Sequence, residues 1–243
     1  MKIPMITAAA ALLTIIACAE PSNAADPLVM TDIEWKATPG KNQPHFRVSH
    51  KRSSSDLSLH SARAALAPAR TALQGGAGPV AFTVVHEAGT LACTGTLMRA
   101  FEGTGRCRFN SDPAFEAALA ARGLAPERRS DMLAMLLVDA TIALADGLTD
   151  AGVKPDDTDD LIAAAALEVT PAYVRELQSE ALVLADVEDA IACKALGVDG
   201  AYVRGLAAAG YRKLSAHDVV GMKVLGVTGE YAVAMNRVTQ GIK

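Results

Sequence analysis

The chain has 243 residues, 51% hydrophobic but only 4% aromatic, enough for one large or two small domains with a proper core. Its formal net charge of −4 is uneven: residues 26–110 carry ten Lys+Arg against six Asp+Glu, and residues 111–243 carry twelve against twenty. An acidic second half argues against nucleic acid, which needs a basic face and aromatics interleaved for stacking.

Residues 1–25 have the form of an export signal. Lys2 gives the positive start, and Met5 to Ala17 is an uncharged apolar run, shorter than the roughly 20 residues of a membrane span. Two processing routes are open. Ser22, Asn23 and Ala24 suit cleavage before Ala25, whereas Ile15, Ile16, Ala17 and Cys18 resemble a bacterial lipobox, which would leave a lipidated Cys18 as the first mature residue. Either route predicts an exported chain, periplasmic, anchored at the outer membrane or secreted. A lipid on Cys18 is the expected means of any membrane attachment.

Residues 26–110 read as a small antiparallel β domain. Val29 to Lys36 and His45 to His50 alternate loosely around the turn chemistry of Pro39 to Asn42. Residues 51–78 form a Ser- and Gly-rich excursion, with a short helix over Leu66 to Leu73 that Pro68 weakens. A meander follows: Val80 to His86, Leu91 to Leu97 and Gly105 to Phe109, with Gly103, Thr104 and Gly105 read as hairpin-turn residues.

Cys93 and Cys107 fall on the second and third of these strands. A turn centred near Ala100 sets them opposite each other, where Cα atoms stand about 4.5 Å apart, within reach of a disulfide. Export makes that bond the expectation. The alternatives are two buried thiols, or a catalytic thiol that lacks an oriented base nearby. Cys18, Cys93, Cys107 and Cys193 include no CxxC spacing, which excludes a zinc ribbon or a thioredoxin-like site.

From Ser111 the chain repeats every 29 residues. Phe115, Leu144, Tyr173, Tyr202 and Tyr231 make one column, and Leu119, Leu148, Leu177, Leu206 and Met235 lie four residues on. Gly123, Gly152, Ala181 and Gly210 follow, and Asp131, Asp160, Asp189 and Asp218 keep the same interval. Acceptors at Asp112, Thr170, Asp199 and Thr228, and at Asp157, Asp186 and Ser215, read as helix N-caps. Ser130 is the expected start where Arg128 occupies the cap position. The glycines read as C-caps requiring positive φ. The prediction is an α+β chain: the β domain, then an α-helical hairpin array of period 29 over residues 111–243, each unit burying its apolar face on the next.

Val169, Thr170, Pro171, Ala172, Tyr173 and Val174, with Gly226 to Tyr231, resemble the Gly-Val-Thr-Pro-x-Tyr-type helical repeats of uncharacterised exported bacterial proteins. Residues 89–109 look like the β segment preceding such repeats, so the likeness covers roughly residues 79–239. It implies no established activity. Similar repeats are appended to antibiotic-sensing membrane metallopeptidases. Their zinc motif is absent here, since His86 and Glu87 are followed by Thr90 where a second His belongs. The peptidase role does not carry over.

No chemistry-bearing motif emerges, and neither cofactor nor catalytic residue is expected. The histidines show no metal-ligand spacing, and neither a P-loop nor a Gly-x-Ser-x-Gly elbow occurs. Asp156, Asp157, Asp159 and Asp160 could hold Ca²⁺ but fit a cap-rich helix start better, lacking the loop length and glycine of an EF-hand. Cys193 shares a column with Met135, Ala164 and Met222 and reads as a core thiol. Three roles are weighed: a non-catalytic exported or lipid-anchored interaction module, a ligand-binding sensor accessory or structural envelope protein, and an enzyme with a site between the domains. The first is favoured, because stacked helices offer an extended surface. The expected partner is another envelope or extracellular protein, with Arg175, Arg204 and Tyr211 as candidate contacts.

Overall fold

The computed structural model describes residues 27–41, 43–59 and 64–234. Residues 1–25, read as an export signal, with Cys18 among them, and also His60 and Met235, lie outside them. Six antiparallel strands form one sheet: β1 (Val29–Thr38), β2 (His45–His50), β3 (Ser53–Ser58), β4 (Gly78–His86), β5 (Gly89–Arg99) and β6 (Glu102–Ser111). Their spatial order, β3-β2-β1-β6-β5-β4, joins two meanders through the β1–β6 pair.

One face of the sheet is apolar and buried. Ile33 and Trp35, Phe46 and Val48, Phe82 and Val84, and Leu91 and Phe109 alternate inward. Glu34, Lys36, Arg47 and Arg106 occupy the opposite, exposed face. Cys93 pairs directly with Cys107, and the two form a disulfide with Cα atoms 4.0 Å apart.

Two segments differ from the sequence reading. The Ser-rich start of the 51–78 excursion is edge strand β3, paired with β2 along its length. Gly103 and Gly105 lie inside β6, and the turn is at Ala100 and Phe101, after a bulge past Leu97. The reason is space. A Cβ on Gly105 would stand 2.5 Å from Trp35 Nε1, and one on Gly95 2.5 Å from Trp35 Cζ2. This facing glycine pair makes room for the indole, whose Nε1 donates to the Thr94 carbonyl at 3.1 Å. Helix α1 (Ala67–Leu73) holds Pro68 in its first turn, where no amide is lost, and buries Ala69 and Leu73.

Eight further helices follow: α2 (Pro113–Ala120), α3 (Asp131–Val138), α4 (Ile142–Asp150), α5 (Thr158–Ala166), α6 (Pro171–Ser179), α7 (Val187–Ala195), α8 (Gly200–Ala208) and α9 (Ala216–Val224). Another begins at residue 229. The even-numbered helices pack in succession, α2 on α4, α4 on α6 and α6 on α8; the odd-numbered ones do likewise from α3 to α9.

Each of the eight ends alike. Gly123, Asp139, Gly152, Glu168, Ala181, Gly197, Gly210 and Gly226, in that order, have φ between 58° and 98°. The next amide then donates five residues back, as from Leu124 to Leu119 or Val169 to Ala164. The starts are also regular. Asp112, Thr141, Thr170, Asp157, Asp186, Asp199 and Ser215 all accept a backbone amide of the first turn. Ser130 stands at the α3 N-cap without a side-chain bond; Asp131 Oδ2 instead takes the Arg128 amide at 2.8 Å.

The apolar core of the sheet continues into the helices through Phe115, Leu119, Met132, Met135 and Leu136, as far as Leu161 and Ala165. A second core runs from Leu148 to Val219, and Leu144 packs against both. Replacing Cys93 and Cys107 by Ser removes a cross-link between residues 14 apart. It should cost about 2–4 kcal/mol in chemical denaturation under oxidising conditions, with no difference from the wild type once reductant is added.

Candidate functional site

The tyrosine column links one helical pair to the next. Tyr173 Oη donates to the Val198 carbonyl and Tyr202 Oη to the Val227 carbonyl, both at 2.7 Å. Lys194 Nζ stands 4.5 Å over the Tyr173 ring, and Lys223 Nζ 4.3 Å over Tyr202. Burial pushes the Tyr173 hydroxyl well above its ordinary range, so it stays a donor. These tyrosines are therefore structural ties.

Two polar clusters flank the join between sheet and helices. At one corner a hollow of about 290 Å³ is lined by His50, Ser53, Ser55, Arg128, Asp131 and Asp159, among others. The Arg128 Nε donates to Asp131 Oδ1 at 3.0 Å and its Nη2 pairs with Asp159. A guanidinium already held between two carboxylates has little charge left for a ligand, so this cluster clasps α3 to α5. Thr158, the first residue of α5, ties that helix to the turn after α2, its Oγ1 lying 3.0 Å from the carbonyls of both Leu124 and Ala125.

At the other corner His86 is almost wholly enclosed. Its Nδ1 accepts the Ala88 amide at 3.0 Å, which places the neutral ring's proton on Nε2. Nε2 lies 3.3 Å from Asp139 Oδ1, off the axis of a good hydrogen bond. With one nitrogen occupied and the other protonated, the ring cannot act as a general base as it stands. Burial depresses the imidazole below its ordinary 6.5, and Asp139 and Glu87 offset that in part. Glu87 Oε2 meanwhile accepts the Ile142 amide at 3.0 Å, capping α4 from the sheet side. The sequence reading passed over His86 as a site because its burial comes from Phe115 and Asp139, both remote in the chain.

The residues singled out from sequence scatter. Cys193 is buried and its thiol is pushed up to about 11 by burial, as a core position requires. The acidic run serves caps and an ion pair: Asp157 takes the Asp160 amide, Asp160 takes the Asp156 amide, and Asp159 meets Arg128. Among the described residues no group of three His, Cys, Asp or Glu is arranged to hold a metal. Arg175 is exposed on α6; Arg204 on α8 pairs with Glu180; Tyr211 stands in the turn after α8, 36% exposed.

Large exposed apolar side chains mark a different part of the helical half. Leu167, Leu196 and Leu225 occupy the C-caps of α5, α7 and α9, are 38%, 38% and 81% exposed, and so form a stripe across successive helices. Val224, 68% exposed, adjoins its far end. Among the described residues no single helix is long and apolar enough to cross a membrane. The disulfide is compatible with an oxidising compartment. Compared with protein-family models, curated proteins and solved structures, the chain matches none.

Two outcomes follow from these contacts. Tyr173→Phe leaves the Val198 carbonyl without its donor and should lower stability by about 1–3 kcal/mol in urea titrations, with Tyr202→Phe, in a less buried setting, costing less. For His86 the folded value is the lower one, so the unfolded chain takes up its proton first. Its contribution is whole above pH 6.5 and is lost as pH falls through the lower folded value. The denaturation midpoint of the wild type should therefore drop below pH 6.5 more steeply than that of His86→Gln.

Proposed function

We propose that this chain is a non-catalytic interaction module, exported and either free or lipid-anchored at Cys18, whose helical half binds another envelope or extracellular protein. On this reading the helices are an array of 29-residue units related to the exported repeat proteins that Val169 to Val174 resemble. One observation carries it: the stripe of Leu167, Leu196 and Leu225 in solvent, in a half where the column of Leu119, Leu148, Leu177 and Leu206 is buried. Side chains of that kind in a row on a surface mark contact sites. The flanking Lys194 and Lys223 are engaged over tyrosine rings and help fix the helices that display the stripe.

The test is cross-linking in the envelope of a producing cell, followed by quantitative recovery. The wild-type chain should bring down one protein in fixed proportion. The double variant Leu196→Glu, Leu225→Glu, both at exposed positions, should keep its circular dichroism and lose at least about tenfold of that recovery. Recovery of no specific protein by the wild type would sink the proposal.

A further inference from the structure

We propose that the hollow between α6, α8 and the turn following α8 docks a short acidic segment of a partner protein that also carries apolar side chains. This rests on the helical half being a binding module and adds a second surface to it, sharing no residue with the leucine stripe.

The amides of Leu124, Val153, Leu182 and Tyr211 donate to the carbonyls of Leu119, Leu148, Leu177 and Leu206. All four residues therefore stand just past the left-handed residue that closes a helix. An apolar side chain there ordinarily folds back on the helix it terminates. Leu124, Val153 and Leu182 are buried there, whereas Tyr211 is 36% exposed. The backbone is the same and the side chain breaks the rule, which is where functional positions concentrate.

The rest of the turn departs in the same place. The first two turns continue with Ala125, Pro126 and Glu127 and with Lys154, Pro155 and Asp156; this one continues with Arg212, Lys213 and Leu214, two adjacent cations with neither the proline nor the carboxylate. Arg212 and Lys213 are exposed, and with Tyr211 they rim a hollow of about 350 Å³ floored in part by Leu182, Val203 and Ala207. Glu180 also lines it, but Arg204 compensates that charge. The rim is thus cationic within a half that is acidic as a whole. An apolar floor takes an aliphatic or aromatic side chain, Tyr211 offers a rigid amphipathic wall, and the two cations select neighbouring carboxylates. A recessed hollow suits a peptide better than a lipid surface, which meets a protein along a broad plane.

Short fluorescent peptides alternating carboxylate and apolar side chains provide the probe, titrated by anisotropy against the purified chain. Saturable binding is expected. It should weaken by about tenfold or more when the peptide carboxylates become amides, in the variant Arg212→Glu, Lys213→Glu, and in Tyr211→Leu. Tyr211→Leu installs the residue found at position 182, so it should fold at least as stably as the wild type and separate lost binding from lost structure. The proposal is overturned if acidic and amide peptides bind alike, if the variants bind as the wild type does, or if anionic vesicles bind while the peptides do not. Failure here leaves the leucine-stripe test intact, and loss of envelope recovery with peptide binding intact would sink only the other reading.

Discussion

Every helix from α2 to α9 has eight or nine residues, too few to hold itself together in water. What lets this half fold is the way each one stops. A single residue in the left-handed region reverses the chain within two or three steps, and the amide after it satisfies a carbonyl that would otherwise be orphaned. Five of the eight positions are glycine, for which that conformation carries no steric penalty. Asp139, Glu168 and Ala181 take it at a cost on the order of 1–2 kcal/mol each. Asp139 has a visible return, since the same reversal brings its carboxylate to His86. Because the stops are uniform, successive helices lie side by side, and the even and odd rows follow.

The helical rows are set against the sheet by one hairpin turn. Between β4 and β5, His86 faces the end of α3, Glu87 caps the start of α4, and the Ala88 carbonyl takes the Asp112 amide at the head of α2. Three consecutive residues thus touch three helices. The shared apolar core, from Phe109 to Leu161, supplies the bulk of the attraction, which has no direction of its own. The turn supplies direction.

Much of this was legible in the sequence where the deciding forces were local. Caps, positive-φ glycines and the facing cysteines are set by residues a few positions apart or by one hairpin register. Strand β3 was not legible, because Ser53 to Ser55 carry no apolar alternation; β2 pairs with them, and only Leu57 and Leu59 are buried as apolar side chains. Gly103 and Gly105 look like turn chemistry until Trp35 arrives from β1, more than sixty residues earlier. His86 was not legible as a buried group, because the neighbours that enclose it are distant in the chain; Tyr211, read from the sequence as a candidate contact, is 36% exposed.

The tyrosine ties give the helical half a direction. Tyr173 donates into the turn before α8, and Tyr202 into the turn before the helix starting at residue 229, so each bond needs the following element to be in place. Burial falls along the same direction, from Tyr173 at 8% exposed to Tyr231 at 55%. In a stack whose units lean on neighbours, stability is the sum of such interfaces, and the elements with least burial open first. The sheet anchors the low-numbered helices through a common core, whereas Val224 and Leu225 have little around them. The surfaces proposed for partners reach, through Leu225 and Tyr211, the less buried of the described helices. A partner that covers Leu225 or fills the hollow beside Tyr211 adds the burial those turns lack, so binding there and order in the last described helices are one equilibrium.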